Sequence, residues 1–123
     1  MSYLPLKKEE LKKYRDDRET VRKTALQVMK DFAGFGFNIE FPNDLMMAYQ
    51  DLFDQLSPVI ADLINMNISK LYSLLYCIDI NESIIQQGIT EMKDLSLNDV
   101  ITHLILEREL KKVLTREYFS KNL

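Results

Sequence analysis

Apolar residues along the 123-residue chain recur mostly in steps of three and four, the spacing of one helix face. From about Lys8 to Phe32 they fall on Leu11, Tyr14, Val21, Ala25, Val28 and Phe32. Arg18 completes this row as a heptad seam, so a long first helix is expected. Asn43 or Asp44 can cap a second helix carrying Leu45, Ala48, Leu52, Phe53 and Leu56. Ser57-Pro58 predicts a boundary or kink there, because proline favours a first helical turn. Val59, Ile60, Leu63 and Ile64 then form a short helix, and Asn65-Met-Asn67 breaks the chain again. Asn81 caps a short segment with Ile84, Ile85 and Ile89. Ser96 and Asp99 form a capping box for a last helix running to about Ser120. The first half of that helix buries Val100, Ile101, Leu104 and Ile105. Its second half buries Leu106, Leu110, Val113 and Leu114, so it needs neighbours on two sides or a bend near Glu107.

Two stretches depart from the amphipathic rule. Leu71–Ile78 is apolar apart from Ser73, and a helix without a polar side belongs at the centre of a bundle. At Gly34 the period changes: Phe35, Phe37, Ile39 and Phe41 alternate with Gly36, Asn38 and Glu40 until Pro42. Alternation predicts an extended segment with one buried face, yet no second strand is available to pair with it. It is either a connector whose aromatics plug the bundle or an interaction surface made of Phe35, Phe37, Ile39 and Phe41.

Composition sharpens this to a single all-α domain over residues 1–123. Three glycines and three prolines leave little turn punctuation, and the length suffices for a core without staples. Five or six helices in one compact bundle are expected, the first and last long, with one extended Phe-rich connector. Cys77, the one cysteine, is expected to be a buried, inert thiol in a reducing compartment, hence a cytoplasmic protein. No secretory signal or membrane span is expected, since no apolar run approaches about 20 residues.

Charge is unevenly placed. Residues 1–23 carry eight Lys/Arg against five Asp/Glu, whereas residues 32–99 carry ten acids and only Lys70 and Lys93 as bases. Basic ends and an acidic middle can pair within one bundle or between subunits. Acids mixed into the basic segments, with a net charge of −3, argue against nucleic acid as a partner.

Chemistry-bearing patterns are few. Asp99, His103 and Glu107 stand four apart, so one helical stripe carries three groups able to ligate a metal. No second histidine supports them, and a His between acids on a solvated face is the plainer explanation. No Gly-rich loop cradles a phosphate, and no nucleophile is paired with His103. Neither a cofactor nor a catalytic residue is therefore assigned. Arg108 falls on the same wheel face as Ile101, Leu104 and Ile105, which predicts a buried or half-buried ion pair with Asp79 or Glu82.

The runs Leu74-Leu-Tyr-Cys-Ile-Asp-Ile80 and Leu104-Ile-Leu-Glu-Arg-Glu-Leu110 resemble small bacterial all-helical proteins without an assigned activity. The resemblance implies a helical fold and carries over no functional residue. The functional expectation is a non-enzymatic interaction or assembly module, a homodimer or the partner of another protein. The alternative is a small metal-binding protein or enzyme using the Asp99/His103/Glu107 stripe.

Overall fold

The computed structural model describes residues 17–121, and within them five α-helices form with no strand. They are α1 (Arg18–Ala33), α2 (Ala48–Met66), α3 (Ile68–Ile78), α4 (Glu82–Glu91) and α5 (Leu97–Lys121), with a 3₁₀ turn at Leu45–Met47 before α2. Leu11 and Tyr14 of the expected seam lie outside the described residues. The rest of the seam behaves as its spacing requires: Val21, Ala25, Val28 and Phe32 are buried. Asp17 caps α1, its side chain accepting from Thr20 N–H at 2.9 Å.

Short polar side chains set the other boundaries. Asn67 ends α2 and caps α3, accepting from Lys70 N–H, and Asn81 caps α4 through Ile84 N–H. Asp79 closes α3 in the left-handed conformation (φ 70°), which lets Ile80 N–H donate back to Leu75. At Pro58 the expected boundary does not form. α2 runs through it from Ala48 to Met66 without a break. Proline removes one N–H bond, but buried Leu56, Ile60 and Leu63 on the same face keep the helix seated against the core.

The centre of the bundle is α5, not Leu71–Ile78. Along α5 the buried positions go all the way round, from Val100, Ile101 and Thr102 to Val113, Leu114 and Thr115. It packs against each of the other four helices, most extensively α2 and α1. α3 buries only Leu71, Leu74, Leu75 and Ile78, leaving Tyr72 62% and Tyr76 89% exposed. Cys77 is likewise exposed rather than buried. Tyrosine and cysteine tolerate water, so a run without charges was not a run without a wet side.

An extended Phe-rich connector does not form as expected either. Phe35 and Gly36 belong to the turn that closes α1, where Gly36 takes φ 86° and Phe37 N–H donates back to Phe32. Beyond it Ile39 is buried, and Gln55 of α2 holds Glu40 by both backbone groups, accepting its N–H at 2.8 Å and donating to its carbonyl at 2.9 Å. One side-chain amide thus replaces the missing partner strand.

Candidate functional site

Asp99, His103 and Glu107 are on one stripe of α5 as the spacing required, and α2 meets the first two. Asp99 accepts a 2.6 Å hydrogen bond from Ser57 Oγ. His103 Nδ1 lies 2.9 Å from the Tyr49 hydroxyl, and its ring packs 4.6 Å from Phe53. His103 therefore packs into the α2–α5 seam against Tyr49 and Phe53. Among the described residues no group of three His, Cys, Asp or Glu comes together to hold a metal ion.

The Phe35–Phe41 run is largely turned inward. Ile39 is buried, Phe35 and Phe37 pack partly buried against the main core, and only Phe41 passes a third exposed. Phe37 is further covered by Phe32 and by the Lys70 ammonium 4.6 Å above its ring. These four residues offer no continuous open face.

Sequence reasoning missed a buried polar cluster where α1 meets α5. Lys112 Nζ is 3.0 Å from Asp31 Oδ2 and 3.1 Å from Glu109 Oε1. Gln27 donates to Asp31 Oδ1 at 2.9 Å and accepts from Arg116 at 2.6 Å. Glu109 has no exposed surface, and no aligned N–H donor reaches either of its oxygens. Burial, then the hydrogen bond and charge of Asp31, push its pKa up to about 8. Burial also works to raise Asp31, but hydrogen bonds from Glu109 and Lys112 outweigh it and hold Asp31 below the usual range. Raised this far, Glu109 is drawn towards its neutral form, which leaves Asp31 and Lys112 as the charged pair of the cluster. Its charges cancel, which is the condition for burying them. A signal did exist: Glu109 shares a helical face with Ile105, Leu106 and Val113, where a solvated acid has no place.

Beside this cluster a groove of about 870 Å³ runs between α1 and α5, with Lys23, Lys30 and Arg116 facing Asp17, Glu19 and Glu117. Its signs alternate, and Lys23 pairs with Glu117 at 3.3 Å. Such walls focus no field of one sign.

A second groove, of about 420 Å³, has a different character. It lies where α3, α4 and the start of α5 meet and is lined mostly by apolar side chains, with Glu82 the one charged residue and Gln86 beside it among the described residues. Ile68, Ile89 and Leu97 along it are each between 38% and 44% exposed, and Tyr72 and Tyr76 are part of its lining. Gly88 marks the closest approach of α4 to α5. It is the one buried residue of α4, and a Cβ there would come within 3.0–3.2 Å of Leu104 and Val100 on α5. Ile84 and Ile85 also pack partly buried against the main core, and Ile85 and Ile89 line the groove.

No protein-family model matches the chain, and neither does any curated protein or solved structure. No helix among the described residues is long and apolar enough to cross a membrane.

Proposed function

We propose that the chain is a non-enzymatic interaction module that docks an apolar helical surface in the groove between α3, α4 and α5. One observation carries the reading: Tyr76 at 89% and Tyr72 at 62% exposure line a mostly apolar groove of about 420 Å³. A continuous open patch of this kind marks an association site more often than scattered surface apolar residues do. Tyrosine suits such a face, since its ring gives contact area and its hydroxyl a hydrogen bond at modest entropy cost. The cytoplasm remains the proposed location, because an exposed free thiol such as Cys77 persists best in a reducing compartment.

The test is a titration of dilute ¹⁵N-labelled protein with a synthetic amphipathic Leu/Ala-rich helical peptide. Amide shifts confined to residues 68–89 and 97–101 are expected. Shifts spread over α1 and α2, or none at all, would remove the groove as a docking site.

A further inference from the structure

Buried polar side chains gather on α1 and the second half of α5: Thr20, Thr24 and Gln27 on the one, Glu109, Lys112 and Thr115 on the other. One ammonium and two acids hold this junction. Lys112 Nζ donates to Asp31 Oδ2 at 3.0 Å, while Glu109 Oε1 lies 3.1 Å away and off the donor direction. Asp31 faces Glu109 from α1, and Lys112 faces it from one turn along α5. Among the described residues no ion pair or hydrogen bond reaches Glu109 from α2, α3 or α4. Arg116 stands one step further out, donating to Gln27, which donates to Asp31.

One ammonium neutralises one carboxylate, and Asp31 already holds it. A second charge on Glu109, which has no exposed surface, would lie inside the protein with no aligned donor for either oxygen. Glu109 therefore ionises where water reaches it. Gln27 and Arg116, the outer members of the cluster, line the open groove between α1 and α5. Parting these two helices is thus the route by which water enters. Ala25, Val28 and Phe32, all fully buried, keep α1 seated while Glu109 is neutral.

We propose that α1 is a proton-held latch: it parts from α5 as Glu109 gives up its proton, while the other helices stay folded. In the closed cluster the Glu109 carboxyl is pushed up to about 8, against 4.5 as its ordinary value in water. Between those values opening releases one proton, so the open fraction rises roughly tenfold per pH unit. Above about 8 it levels off. The facing groups add no slope from pH 6 to 8. Asp31, lowered in the cluster, is a carboxylate in both forms, and Lys112, raised, is an ammonium in both.

Amide hydrogen exchange from pH 6 to 9, corrected for the intrinsic rate, tests it. Residues 21–33 of α1 should lose protection roughly tenfold per unit up to about pH 8 and no further. Residues 84–91 of α4 should not follow. Glu109→Gln has no proton to release and should show no such loss in α1. Asp31→Asn leaves Lys112 with Glu109 as its one acid, so the levelling-off should move to lower pH. A wild-type α1 whose protection does not vary with pH overturns the latch. So does a fall shared equally by α1 and α4, since the whole chain is then unfolding, and so does a fall that Glu109→Gln retains. If Glu109→Gln does not fold, Asp31→Asn decides: an unmoved levelling-off overturns the latch and a shifted one upholds it.

Discussion

Asp31 near the end of α1 and Lys112 on α5, 81 positions apart in sequence, meet at 3.0 Å with both side chains only 10% exposed. This pair fixes the register of the first helix against the last. Removing one partner leaves the other charged and without water. Lys112→Met should therefore cost about 3–5 kcal/mol, the range for breaking a buried pair. Urea unfolding at neutral pH checks it. Adding Asp31→Asn to Lys112→Met should recover part of the loss, because no lone charge is then left inside.

Glu109 sets a pH dependence of opposite sign to that of an ordinary salt-bridged acid. Its pKa is about 8 when folded, against 4.5 as the ordinary value. Below the ordinary value both states hold the proton and Glu109 adds no slope. Between the two values the unfolded chain ionises while the folded one does not, so stability falls as pH rises, by on the order of 1 kcal/mol per unit. Above about 8 the slope vanishes. Asp31 acts on the acid side: its lowered pKa gives stability above the usual carboxylate range that is lost as pH falls through its folded value. Glu109→Gln keeps the size of the side chain and removes the titrating proton. It should flatten the profile from pH 5 to 8 and gain most on wild type at the alkaline end, as read from melting temperatures.

At Gly88 two effects compete. Alanine would improve helix propensity by about 1 kcal/mol. Its Cβ would meet Leu104 Cδ1 at 3.0 Å and Val100 Cγ1 at 3.2 Å, both on buried residues of α5. Crowding a packed core costs about 1–3 kcal/mol, so Gly88→Ala should be mildly destabilising overall. Gly88→Leu should lift α4 off α5, seen as faster hydrogen exchange confined to residues 82–91.

Arg108 and Asp79 also pair across helices, at 3.1 Å, but Asp79 is 64% exposed and solvent screens the attraction. Arg108→Met should change stability by less than about 1 kcal/mol. Arg108→Ala should cost more, because the arginine stem that covers apolar surface is lost with the charge. Asp79→Gly tests the other half. Relief of the left-handed backbone at φ 70° should roughly offset the lost pair, giving a near-neutral change in urea.

Much of the fold was readable where a local rule had no competitor. Asn67 and Asn81 lie at helix starts because a short side chain satisfies an orphan N–H wherever a helix begins. Arg108 found Asp79 because its place on an apolar face left it one direction in which to neutralise. The reading failed where burial was decided by partners far along the chain. Lys112 and Thr115 look solvated in a periodic pattern, and Asp31 on α1 makes the burial of Lys112 tolerable. That hid the central place of α5, and Leu71–Ile78 was given it instead. The same gap explains the site. Tyr72 and Tyr76 count as apolar by composition, so they were assigned to a core they do not enter. The groove that they line does not follow from spacing along one helix.

Cys77, next to Tyr76 and open to solvent, has a practical consequence. The chain contains no other thiol, so one maleimide dye or nitroxide attaches at a single defined place without mutagenesis. A tag there reports directly on whatever approaches the exposed side of α3.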